Sequence, residues 1–249
     1  YGGRVRGPHR VAPEDTAADV GDEALLLAER APTWVGGDRA ASARAAVAAG
    51  ATVLLLDDGL QNPSLVKDMS LLVVDGGTGF GNGRVLPAGP LREPVAAGAA
   101  RCQAAVLIGA DTTGVARMLP DLPVLRARLV QDEAINTLKG RRILAFAGIA
   151  HPNKFFAPLA AGGALLVGSE PFPDHHPYTT RELDRLLAQA EALNALPVTT
   201  PKDAVRLPPA VRARVEVIGV GLAWEDPASL DALLARLLRG QDAARKENA

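Results

Sequence analysis

The feature that most constrains this chain is a series of short apolar runs, continuous rather than alternating, at residues 52–56, 71–74, 104–108, 124–129, 143–147, 164–167 and 215–220. A strand with one wet face alternates polar and apolar positions; an unbroken apolar run is what a strand covered on both faces requires. Between the runs lie segments of helical period, at residues 22–30, 40–49, 179–193 and 229–239. The third opens on T-T-R-E, with Thr179 three residues before Glu182, a capping-box pattern, and its Leu183, Leu186, Leu187 and Ala190 fall on one face. The fourth has Asp226 or Ser229 at its start and Leu230, Leu233, Leu234 and Leu237 as a stripe. Strands alternating with helices predict an α/β fold with a mainly parallel sheet.

Hydrophobic residues are 48% of the 249, enough to bury a sheet on both faces, and the formal net charge of -1 with no basic stripe argues against nucleic acid as a partner. A single cysteine, Cys102, allows neither a disulfide nor a Cys-based metal site; it reads as a small buried residue opening a strand. No stretch approaches the ~20 apolar residues of a membrane-spanning helix. The chain opens on Tyr1 in Y-G-G-R rather than on Met, so a natural N-terminus is expected upstream. A polar segment at 131–142 precedes a fresh strand, which suggests one part over residues 1–130 and a second over 131–249.

Four segments have residues suited to chemistry. In L-L-L-D-D-G-L-Q-N, an apolar run ends in Asp57 and Asp58; carboxylates at the carboxyl end of a strand suit Mg²⁺ beside a nucleotide phosphate, while D-G there is also ordinary turn chemistry. In V-G-D-E, Asp22 and Glu23 precede a helix, where Asp22 serves equally as a cap. F-P-D-H-H-P-Y holds His175 and His176; neighbours in extended backbone point apart, so a shared zinc fits poorly and proton handling by one imidazole fits better. In the loop at 79–94, glycines permit close approach and Arg84 and Arg92 can grip anions, against the plainer reading of a structural Ω-loop. G-x-x-x-x-G-K-[ST] occurs nowhere, and none of the five lysines sits in a glycine-rich turn opening a helix.

In order, Y-G-G-R at Tyr1, D-V-G-D-E at Asp19, D-D-G-L-Q at Asp57, V-V-D-G-G-T-G-F-G-N-G-R-V-L-P-A-G-P-L-R-E-P from Val73, A-G-I-A-H-P at Ala147, F-P-D-H-H-P-Y and T-T-P-K-D-A-V-R-L from Thr199 resemble the motifs of the tetraacyldisaccharide 4'-kinase (lipid A 4'-kinase) family. The long run from Val73 is the most specific of these. The resemblance implies a P-loop-kinase-like, mainly parallel sheet lacking its first strand and phosphate loop, with a smaller C-terminal α/β part closing an active-site cleft. It implies transfer of the γ-phosphoryl group of ATP, with Mg²⁺, to the 4'-hydroxyl of a tetraacylated glucosamine disaccharide 1-phosphate. That lipid A precursor would be met at the cytoplasmic face of the bacterial inner membrane, to which a missing N-terminal segment would anchor the enzyme. By motif, Asp22 and His175 resemble a catalytic dyad. Glu23, Asp57 and Asp58 resemble the acidic groups around Mg²⁺ and the nucleotide, and Tyr1, Arg39 and Arg92 the contacts to the acylated disaccharide and its 1-phosphate. The chain departs from the family in Gln61-Asn62, where Q-H is common, and in T-T-P-K-D with Pro201, where T-T-E-K-D is usual. Without a phosphate loop these 249 residues are expected to be inactive alone; the competing reading is a non-catalytic lipid-disaccharide-binding module.

Overall fold

The structure, a computed structural model, describes residues 3–247. Its strands in chain order are β1 (His9–Arg10), β2 (Trp34–Val35), β3 (Leu71–Asp75), β4 (Ala104–Ile108), β5 (Val124–Gln131), β6 (Arg142–Ala147), β7 (Leu165–Pro171), β8 (Leu196–Thr199), β9 (Glu216–Val217) and β10 (Val220–Trp224). The chain forms two compact units, one from residues up to 55 with 131–220, the other from 56–130 with residues from 221 on. The first 55 residues group with the later strands, and the last ones return to the middle segment. The reason is strand pairing, since β10 is hydrogen-bonded beside β5 in the order β10-β5-β4-β3.

The unit containing 131–220 is built on a sheet of order β7-β6-β8-β9, with every registered pair parallel. β6 shows why a continuous apolar run is needed. Ile143, Ala145 and Ala147 point into a cluster with Phe155, Phe156 and Leu159 of the Asn153–Ala161 helix. Leu144 and Phe146 point the other way, against Leu183, Leu186 and Ala190 of the Thr180–Ala192 helix. All five β6 residues are almost wholly buried, so a polar residue at any of them would lose its water without gaining a partner. Thr179 accepts a hydrogen bond from the Glu182 amide, closing the capping box the sequence predicts.

In the other unit β3, β4 and β5 are parallel, and Val74, Ala105, Leu107, Val115 and Leu119 form the core. Two expected strands differ. Residues 52–56 form none: no described residue pairs with them, and Leu55 is 93% exposed, because an apolar run becomes a strand only where a ladder partner is available. The run 215–220 is split into β9 and the start of β10, which belong to different sheets, with the buried Ile218 between them donating to the Thr199 carbonyl at 2.9 Å. The last helix is longer than expected, Pro227–Glu247, and Asp226 holds its start through Ser229. No helix among the described residues is long and apolar enough to cross a membrane.

Candidate active site

Parallel strands β6, β7 and β8 end side by side, and the segments leaving their carboxyl ends carry the candidate chemistry, as expected of ligand sites in such sheets. After β7 comes the P-D-H-H turn. Its His175 adopts a left-handed backbone (φ 57), with its amide donating to the Gly148 carbonyl at 3.2 Å and to Asp174 Oδ1 at 3.1 Å. This sharp turn, rather than extended alternation, sends the two histidines to different partners. His176 stacks on Phe172 with ring centroids 4.9 Å apart and meets both Glu182 oxygens at 3.1 Å, so it is bound into the local packing.

His175 faces Asp22 instead. The structure brings Nδ1 to 2.9 Å from Asp22 Oδ2, although the residues stand 153 apart in sequence. Asp22 is not the cap of its helix, Asp22–Ala28; Gly21 holds that position (φ 90), which leaves the carboxylate available, with Oδ1 accepting from the Glu23 amide at 2.9 Å. Asp22 is 5% exposed. On its other edge, His175 Nε2 lies 3.1 Å from Lys202 Nζ. The hydrogen positions follow from these partners. A carboxylate only accepts and an ammonium only donates, so Nδ1 bears the proton and Nε2 presents a lone pair.

After β8, Thr200 caps the short Pro201–Ala204 helix, accepting from the Asp203 amide at 3.1 Å and donating to Asp203 Oδ2 at 2.6 Å. Pro201 sits in the first turn, where a missing N–H costs nothing, so the departure from T-T-E-K-D is accommodated. Asp203 is fully buried; its Oδ1 accepts from the Gly148 amide at 2.8 Å and the Tyr178 hydroxyl at 2.6 Å. Burial pushes the Tyr178 phenol far above its ordinary range, and the adjacent Asp203 carboxylate adds to this. Arg206, its side chain 6% exposed, lies between Asp203 (Nη2 to Oδ1, 3.1 Å) and Asp22 (Nε to Oδ2, 3.4 Å). It also donates to the carbonyls of Lys202, His176 and Gly148 at 3.0, 3.1 and 3.1 Å. One buried guanidinium thus ties together the loops after β6, β7 and β8 and the Asp22 helix, pairing two buried carboxylates. Sequence reasoning did not single out Asp203 or Arg206; the signal was there in T-T-P-K-D-A-V-R, a Thr cap with Asp at the third helical position and Lys and Arg four apart on one face.

The other predicted residues lie as follows. Glu23 follows Asp22, with Oε1 3.9 Å from Lys202 Nζ. Arg39 is half-buried and opens the Arg39–Ala48 helix, which Asp38 caps by accepting from the Ala41 amide at 3.0 Å. In the other unit Asp57 and Asp58 occupy a turn rather than a strand end, Asp58 left-handed with φ 47. Arg92 Nη1 lies 2.8 Å from each Asp58 oxygen, an exposed ion pair worth about 0–1 kcal/mol. The loop at 79–94 is tied internally, with the Asn82 amide donating to the Ala88 carbonyl at 2.9 Å and Val85 bridging Leu91. Tyr1 lies outside the described residues. Among the described residues no group of three or more His, Cys, Asp or Glu could hold a metal by itself.

Comparison with known proteins agrees with the motif order. A family model described as tetraacyldisaccharide-1-P 4'-kinase matches residues 1–239. The chain belongs to this kinase family. It is 61% identical over 245 residues to a tetraacyldisaccharide 4'-kinase of Rhodospirillum centenum, covering 97% of this chain and 73% of that protein. A Gluconacetobacter diazotrophicus protein of the same name is 60% identical over 236 residues, covering 94% of this chain and 72% of its own length. In fold the chain is similar to a crystal structure of LpxK from Aquifex aeolicus in complex with ATP, with a TM-score of 0.73, 23% identity, and coverage of 95% of this chain and 76% of that one. The α/β fold with parallel sheets is therefore that of a kinase-family member.

Proposed function

We propose that this kinase-family chain transfers the γ-phosphoryl group of ATP to the 4'-hydroxyl of a tetraacylated glucosamine disaccharide 1-phosphate, in lipid A biosynthesis. The observation that carries the reading is the buried Asp22 carboxylate on Nδ1 of His175, which leaves the Nε2 lone pair as a proton acceptor. In the step, the O–H bond of the sugar hydroxyl breaks and its proton passes to Nε2. The hydroxyl oxygen bonds to the γ-phosphorus as the bond to the bridging oxygen breaks, and ADP leaves with that electron pair. Asp22 holds the imidazole in the accepting tautomer and stabilises the imidazolium that forms.

The carboxylates suit Mg²⁺ brought in with the nucleotide better than a resident metal, because Mg²⁺ binds through one or two carboxylates, phosphate oxygens and water. Asp57 and Asp58 are the residues we assign to it; when bound, it would neutralise charge on the phosphates. Arg39 and Arg92 are assigned to the anionic disaccharide, the exposed Asp58 pair of Arg92 being weak enough to exchange for phosphate. An acylated substrate places the work at a membrane surface, which we take to be the cytoplasmic face of the inner membrane. With no G-x-x-x-x-G-K-[ST] in the sequence, residues 1–249 are expected to need a phosphate loop from outside themselves.

The experiment is a phosphotransfer assay on residues 1–249 and on any longer form its gene encodes. In the active form D22N and H175A should each lower kcat by about three to four orders of magnitude, and the double change should add little, as for groups acting as a unit. D57N or D58N should also cut turnover. Binding of the disaccharide with no transfer by any form would favour the binding-module reading, and additive losses in the double variant would break up the dyad.

A further inference from the structure

The segment after β8 offers two cations to the Asp22–His175 pair, and they are held very differently. Arg206 is fixed, with three carbonyls and two buried carboxylates around one guanidinium. The backbone of Lys202 is equally fixed, between Thr200 and the fully buried Asp203. Its ammonium is not. Its carboxylate neighbours, Asp174 at 3.5 Å and Glu23 at 3.9 Å, stand beyond the ~2.7–2.9 Å of a strong charged hydrogen bond. Its contact to His175 Nε2, at 3.1 Å, is shorter than either.

That contact occupies the lone pair that must accept the acceptor's proton. An imidazole nitrogen has one lone pair, and a hydroxyl handing over its proton must come within about 2.6–3.2 Å of it. Ammonium and hydroxyl therefore compete for one position. We propose that Lys202 is a substrate-contacting residue: the acceptor hydroxyl displaces its ammonium from Nε2, and the ammonium moves onto an anionic oxygen of the phosphoryl group being transferred. A flexible four-carbon stem on a rigid root allows that swing, and an ammonium is a compact point charge suited to phosphate. The displaced position lies beside the attacking oxygen and so next to the transferring group, whose negative charge is spread over three equatorial oxygens that a cation there can stabilise. Meanwhile Asp22 and Arg206 stay in place, so the tautomer of His175 survives the exchange.

This proposal rests on the dyad reading, and its test separates the two. In the transfer-competent form, K202M and K202R are compared with D22N and H175A for kcat and for the KM of the acceptor. In the parent, K202M, K202R and D22N without substrate, the imidazole nitrogen resonances of His175 are recorded. We expect K202M to lose about 100-fold or more in kcat with acceptor KM within about threefold, an unchanged melting temperature, and partial recovery in K202R. The Nε2 resonance should move in K202M while Nδ1 keeps its proton. Parental kcat in K202M, with D22N and H175A inactive, would overturn the role of Lys202 alone. An Nε2 resonance indifferent to K202M would do the same. Full activity in D22N and H175A would remove the dyad reading and this proposal with it.

Discussion

Replacing Asp203 by Ala should destabilise the unit that carries the candidate site, and the size can be worked from its contacts. The carboxylate receives the Gly148 amide at 2.8 Å, the Tyr178 hydroxyl and the Thr200 hydroxyl at 2.6 Å each, and Arg206 Nη2 at 3.1 Å. The hydroxyl of Thr200 can turn to another acceptor, but the Gly148 N–H, the phenol and one edge of the guanidinium are left buried without this partner. Removing one member of a buried ion pair costs about 3–5 kcal/mol, and the neutral donors belong to the same loss rather than adding in full. At about 2–4 °C per kcal/mol for a chain of this size, D203A should melt roughly 10 °C lower. D203N is the control. Its Oδ1 can keep the amide, the phenol and the guanidinium while its NH₂ faces the Thr200 oxygen, so only the charge is lost, at about 1–2 kcal/mol. Urea titration followed by circular dichroism, alongside calorimetry, gives both values. A D203A cost under about 1 kcal/mol, or D203N as damaging as D203A, would refute the view that Asp203 anchors the buried network.

Two further expectations concern pH. The Tyr178 phenol is raised, chiefly by burial, so its contribution to stability is complete below the ordinary phenol range and lost as pH rises toward its folded value. Of the two tyrosines, one should therefore fail to ionise in a phenolate absorbance titration until the chain unfolds in alkali; two ordinary titrations would contradict this. Glu182 is pulled down to about 2, first by the Thr179 amide, then by the Thr179 hydroxyl and His176. Its contribution is present above the unfolded carboxyl value of about 4.3 and fades as pH falls toward about 2, so T179A, costing about 1 kcal/mol at neutral pH, should cost less in acid. A cost independent of pH would mean the cap does not couple to Glu182.

What the sequence made legible was local or periodic. β6 could be read from five apolar residues in a row because a strand covered on both faces tolerates nothing else, and the Thr179 cap because its partner is three residues away. Residues 52–56 show the limit of that reading, since apolar character says a run can be buried, not that a neighbour is there to pair with it. Arg206 was illegible for another reason. Its five contacts come from four separate segments of the chain, and an arginine in the turn after a short helix looks the same in sequence whether it faces water or two carboxylates. Asp22 and His175 could be paired beforehand only through resemblance to a family, because a separation of 153 residues leaves no local spacing to read.

The division of the chain into two interleaved units has a consequence during synthesis. Asp22 leaves the ribosome 153 residues ahead of His175, which at about 5–20 residues per second is a wait of roughly 8–30 s. Over the same interval β3, β4 and β5 emerge and can pair, but their sheet stays open at one edge until β10 follows from residue 220 onward. The first unit is complete only once residue 220 is made, and the second only when residues from 221 on have followed. Nascent chains of this protein should therefore show unusually long occupancy by holding chaperones, ending abruptly once β10 is out of the exit tunnel.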